Sequence, residues 1–97
     1  WVLEPAVPGY ALTSAMKRPL GRDRGEAVHM VFSDGLAAIS VFIEPIGEGS
    51  RAGLGPLSSG AINIFKRAID GHLVTALGEA PEAAVRHIGE GIRPEAR

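Results

Sequence analysis

The residues in this sequence with chemistry to offer are three histidines, scattered serines and aspartates, and a glycine-rich middle. Gly47-Glu-Gly-Ser-Arg-Ala52 has the loose G-x-G-x-x-A form that brings a dinucleotide pyrophosphate close to backbone amides. That chemistry needs a strand before the loop, a helix after it and a parallel crossover, whereas Gly53-Leu-Gly-Pro56 follows here. Gly55 to Gly60 has phosphate-loop spacing, but Ala61 stands where the loop requires Lys. His29, His72 and His87 are far apart, with no pair at the i,i+4 spacing of a metal-binding helix. No G-x-S-x-G elbow accompanies the Ser, His and Asp residues, and Ser33-Asp34 reads as turn chemistry. Cysteine is absent, which removes thiol catalysis, disulfides and Cys-based zinc sites. The residues therefore point away from an enzyme and toward a binding module with no catalytic residue, metal or cofactor.

Two groups have recognition chemistry. Lys17, Arg18, Arg22 and Arg24 form a basic cluster beside His29, offset only by Asp23 and Glu26. It has the charge to attract an acidic peptide or a lipid phosphate, although a solvated loop is the simpler account. Phe65, Lys66 and Arg67 combine an aromatic with cations, a pairing favoured at interfaces, but a core position is the simpler account of Phe65. Net charge is -1, so no global positive field exists to release counterions from nucleic acid, and nucleic-acid binding is not expected. The longest charge-free stretch, Ala52 to Phe65, is broken by Gly53, Gly55, Pro56 and Gly60. It falls short of the roughly 20 apolar residues a membrane helix needs.

The elements that would position these groups follow from periodicity. Tyr10 to Arg18 alternates as a half-buried strand does. Ala27 to Phe32 and Leu36 to Ile43 flank Asp34-Gly35, and Ala61 to Ile69 and Leu73 to Leu77 flank Asp70-Gly71; both dipeptides are hairpin signals. Leu36 to Ile43 is apolar at nearly every position, which predicts a central strand covered on both faces. Pro45 to Gly60 holds five glycines and two prolines and is expected to cross the surface as a long loop, either a plain connector or a flap over a docked peptide. Trp1 to Leu3 offers a sixth strand. Pro81 suits the first position of a helix whose Ala84, Val85, Ile88 and Ile92 share one face, while Gly89 and Gly91 each cost about 1 kcal/mol against Ala. The expected fold is α+β: a single antiparallel sheet of five or six strands with a C-terminal amphipathic helix packed on one face.

Val31-Phe-Ser-Asp-Gly-Leu-Ala-Ala-Ile-Ser-Val-Phe-Ile-Glu44 and Val74-Thr-Ala-Leu-Gly-Glu-Ala-Pro-Glu-Ala-Ala-Val-Arg-His-Ile88 carry a family likeness. Together with Trp1, Pro8-Gly9-Tyr10 and Arg18-Pro19-Leu20, they resemble the C-terminal domain of the MucB/RseB regulators of sigma-E envelope-stress signalling in Gram-negative bacteria. Three departures are conservative: Phe32 where Tyr is common, Val7 where Leu is usual before Pro, and Ala80 for Val. The resemblance implies a periplasmic negative regulator that binds the periplasmic segment of a membrane anti-sigma factor and helps protect it from regulated proteolysis. It also implies that residues 1–97 form one domain of a longer protein whose N-terminal, lipoprotein-carrier-like domain is absent here. The alternative, motivated by the basic cluster beside an apolar sheet, is that this domain itself senses lipid or lipopolysaccharide; contact with either through the full-length protein, and self-association into a homo-oligomer, stay open.

Overall fold

Alternation of apolar and polar side chains organises this chain. The computed structural model describes residues 1–4, 6–20, 25–46 and 55–95. Its strands are β1 (Val2–Leu3), β2 (Ala11–Pro19), β3 (Glu26–Ser33), β4 (Ala38–Pro45), β5 (Gly55–Ser59), β6 (Ile62–Ile69), β7 (His72–Gly78) and β8 (Ile92–Arg93), with one helix, α1 (Glu82–Gly91). Six strands form an antiparallel sheet in the order β2-β3-β4-β7-β6-β5, while β1 pairs with β8 in a separate two-stranded ribbon. The α+β class stands, but the strands divide between two sheets instead of one. Trp1 to Leu3 supplies a strand to the ribbon and not to the main sheet, because β8 continues straight out of α1 and offers it a partner.

Cross-strand register brings the apolar residues of one face into line. Ile39, Val41 and Ile43 of β4 stand opposite Phe32, Met30 and Val28 of β3, and Val41 and Ile43 stand opposite Ala76 and Val74 of β7. Val85 and Ile88 of α1, with Ile92, close over this face, and all of these except the half-buried Val28 are buried. Burying each such side chain contributes about 1.5–3 kcal/mol. The helix packs on β6 and β7, and the segment Trp1 to Tyr10 covers part of the remaining face.

The near-continuous apolar run of β4 does not mean burial on both faces. Its side chains alternate between buried and accessible, and Phe42, on the face away from α1, keeps 39 % of its surface exposed. β4 is central in the sheet, yet among the described residues one layer, on the α1 side, covers it. The Gly- and Pro-rich stretch is likewise not loop throughout. Residues 47–54, which include the G-x-G-x-x-A pattern, lie outside the described residues, but Gly55–Ser59 pairs with β6 as an edge strand. Pro56 is tolerated there because an edge strand leaves one side of its backbone unpaired.

The two hairpins use different turns. Ile69 pairs with His72 across Asp70 and Gly71, whose φ values of 49° and 74° are those of a two-residue type I′ turn. At the other signal Ser33 pairs with Ala38, leaving a four-residue loop in which Asp34 is not left-handed. There the Asp34 carboxylate accepts hydrogen bonds from the amides of Leu36 (2.9 Å) and Ala37 (2.7 Å). The Ser33 hydroxyl accepts one from Gly35 (3.0 Å). Side-chain acceptors, more than left-handed backbone, make this turn.

Helix α1 begins one residue later than its sequence suggests. Pro81 is the N-cap, with φ -55° and ψ 142°, and its carbonyl accepts from Ala84 and Val85. Ile92, placed on the helix face by periodicity, is already extended and starts β8, so the helix delivers its last apolar residue to the core through a strand.

Candidate recognition surface

β2 is the outermost strand of the sheet, and all nine of its residues are exposed. Its side chains alternate between two environments. Leu12, Ala15 and Lys17 pair with Phe32, Met30 and Val28 and therefore project on the helix side. Met16 and Arg18 pair with His29 and Ala27 and project on the opposite face; a bulge between Leu12 and Ser14 resets the phase. The Thr13 hydroxyl inside the bulge donates to the Val31 carbonyl at 3.2 Å.

A hollow opens on each side of this strand. On the helix side, Trp1, Leu3, Tyr10, Leu12, Met30 and Phe32 line an open apolar groove of about 310 Å³. Burial, with the Asp34 carboxylate second, pushes the Tyr10 phenol at the groove wall up from its ordinary value. On the other face, Met16, Arg18, Ala27, His29 and Phe42 surround a smaller cavity of about 130 Å³. The rings of His29 and Phe42 stack there with centroids 4.3 Å apart and 10° between planes. Among the described residues, the buried His29 Nε2 has no hydrogen-bond partner.

A third hollow, about 420 Å³, runs between the N-terminal segment and α1, with Glu4, Val7, His87, Glu90 and Arg93 on its walls. Its mixed charges give it no preference for one sign of ligand.

The charged candidates are dispersed. Lys17 and Arg18 share β2, pointing to opposite faces, while Arg22 and Arg24 lie outside the described residues. Lys66 is four strands away on β6. Phe65 is buried in the core beneath α1, and Arg67 is tied to the helix end: its Nε donates to the Gly89 carbonyl at 2.8 Å and Nη2 donates to the Ile92 carbonyl. Desolvation lowers the Arg67 guanidinium from its ordinary value, nearby Arg93 adds to this and Glu90 opposes it. Phe65 and Arg67 thus hold the helix on the sheet. Leu12 and Met16, exposed by 50 % and 64 %, are surface features that charge patterning passes over. Their signal is an apolar residue on each side of a strand that ends in Lys-Arg-Pro.

Comparison with known proteins decides the family. The model of the MucB/RseB C-terminal domain matches residues 1–93. The chain belongs to the MucB/RseB C-terminal domain family. The sigma factor AlgU regulatory protein MucB of Pseudomonas aeruginosa is 34% identical over 104 residues, an alignment covering 99% of this chain and 31% of MucB. In the crystal structure of MucB in complex with MucA(peri), the matching region superimposes with a TM-score of 0.77 at 31% identity, covering 100% of this chain and 37% of that one. The complex structure of Pseudomonas aeruginosa MucA/MucB gives 0.76 at 31% identity, covering 100% and 35%. This MucB/RseB C-terminal domain therefore spans about a third of the length of the relatives it matches.

Proposed function

We propose that this domain is a protein-recognition module of sigma-factor regulation, which helps hold the periplasmic segment of a membrane anti-sigma factor and so helps shield it from regulated proteolysis. The observation that carries this reading is the match of the whole of this chain to about a third of MucB as it stands in its complex with MucA(peri). Among the described residues no cluster of metal-ligating side chains offers a competing chemistry. The domain works in the periplasm of an envelope-stress pathway, as part of a regulator with an N-terminal, lipoprotein-carrier-like partner domain.

Titration of the full-length regulator with the MucA(peri) segment, followed by a protease-protection assay on that segment, tests the reading. Saturable binding with slowed cleavage is expected. No saturable binding and unchanged cleavage would overturn it.

Lipid or lipopolysaccharide sensing is the second reading, favoured by Arg18 beside the apolar cavity of Met16 and Phe42. In that case Arg18→Glu abolishes capture of anionic vesicles and leaves binding of the peptide intact.

A further inference from the structure

The sheet has two edges, and they are not alike. β5 is five residues long with Pro56 at its second position, whereas β2 is nine residues long, exposed throughout, and carries its proline, Pro19, only at its last position. Unpaired backbone amides and carbonyls along such an edge are a template for another strand. Their direction on β2 can be read from its end. Leu20 N donates to the Gly25 carbonyl at 2.9 Å, so the Leu20 amide faces β3. Because hydrogen-bonding direction alternates along a strand, the amides of Arg18 and Met16 also face β3, and those of Lys17 and Ala15 face away from the sheet. Pro19, which has no amide hydrogen, falls in the outward phase, where the β2–β3 ladder needs none.

The flanks of this edge are prepared for side chains as well. A strand laid beside β2 would direct alternate residues to the two faces, and each face presents an apolar anchor: Leu12 with its groove on one side, Met16 with its cavity on the other. Among the described residues, Leu12, Met16 and Phe42 are three of the four exposed large apolar side chains, and all three lie at these two hollows. Unpaired backbone with pockets for alternate side chains is the architecture of recognition by strand addition.

Charge selects the occupant. β2 carries Lys17 and Arg18 and no acidic side chain. Basic residues on an edge oppose pairing with a second basic edge and attract an acidic one. Resting on the function proposed above, we infer that the outward edge of β2 takes up an extended, acidic segment of the anti-sigma partner as an added strand, with its apolar residues against Leu12 and Met16 and its carboxylates beside Lys17 and Arg18.

The test combines amide exchange with variants, using the MucA(peri) segment and a short synthetic peptide of alternating Glu and Val as probes. Slowed exchange at the Ala15 and Lys17 amides, with either probe bound, is the expected result. Ala15→Pro removes an outward donor and should weaken binding about tenfold, while Ala15→Val should not. Lys17→Glu with Arg18→Glu should weaken both probes by at least about tenfold. If Ala15→Pro fails to fold, an N-methyl group on the peptide residue opposite Ala15 removes the reciprocal bond, the one donated to the Ala15 carbonyl, and should weaken binding likewise. Unchanged exchange at Ala15 and Lys17 with both probes overturns the edge. So does equal binding by Ala15→Pro, and in that event saturable MucA(peri) binding still leaves the domain a partner-recognition module. Dimerisation of the chain through β2 in place of peptide uptake overturns it too.

Discussion

The backbone of Gly89 lies against the ring of Phe65 so closely that a methyl group on Gly89 would come within 2.5 Å of Cδ2. Glycine inside a helix costs about 1 kcal/mol against Ala, and here it is what lets α1 settle onto β6. Gly89→Ala should therefore destabilise the domain by about 1–3 kcal/mol, because overpacking outweighs the gain in helix propensity. Urea denaturation measures this, and pairing the change with Phe65→Leu should recover much of the loss. A stabilised single variant would refute the packing account.

Arg67 reaches from β6 to the Gly89 carbonyl in the last turn of α1 and to the carbonyl of Ile92, the C-cap that follows it, where helix geometry supplies no partner. Arg67→Met keeps the packed stem and removes both donors. A loss of about 1.5–3 kcal/mol is expected, the range for hydrogen bonds from charged groups. Faster amide exchange in the last turn of α1 should accompany it.

The turn at Asp34 should respond to acid. Hydrogen bonds from the amides of Ala37 first and Leu36 second lower the Asp34 carboxyl below its ordinary value. Its contribution is thus complete above the unfolded-state value and disappears as pH falls through the lower folded-state value. Titration followed by NMR should show the Leu36 and Ala37 amide resonances moving together with the Asp34 carboxyl, on the acid side of an ordinary aspartate. Asp34→Ala should abolish that pH-dependent movement.

His29 stacks on Phe42 while its buried Nε2 lacks a partner among the described residues. An unmade hydrogen bond is expensive in a buried setting, and an apolar group of similar size carries no such penalty. His29→Leu is expected to leave stability unchanged or raise it by up to about 1 kcal/mol. A clear drop in thermal midpoint would mean that the imidazole makes a bond to solvent or to a neighbouring segment.

The legible parts of this fold are those set by local chemistry. Asp70-Gly71 announces its turn because both residues adopt left-handed backbone, and the central place of β4 shows in its apolar content. Coverage of that strand is not legible, since Phe42 is as apolar as Val41 and only the position of the helix decides which of them is buried. β5 is hidden by its own composition: Gly55 and Pro56 resemble loop residues until β6 supplies a partner. Among candidate site residues, Lys17 and Arg18 are visible as charges, but the apolar companions Leu12 and Met16 are not, because a bulge sets the phase that places them on opposite faces. Phe65 and Arg67 look like interface anchors and instead serve the helix, a role that depends on Gly89 some twenty residues on.

The ribbon of β1 and β8 has a mechanical consequence. Val2 lies opposite Arg93 and Leu3 opposite Ile92, with Glu4 N donating to the Gly91 carbonyl at 2.8 Å. Tension applied at residues 1 and 95 would load these bonds one after another, as a zipper opens, and would leave the six-stranded sheet unstressed until the ribbon had parted. Because Trp1 and Leu3 line the groove beside β2, force applied at residues 1 and 95 would loosen that groove before it disturbed the core.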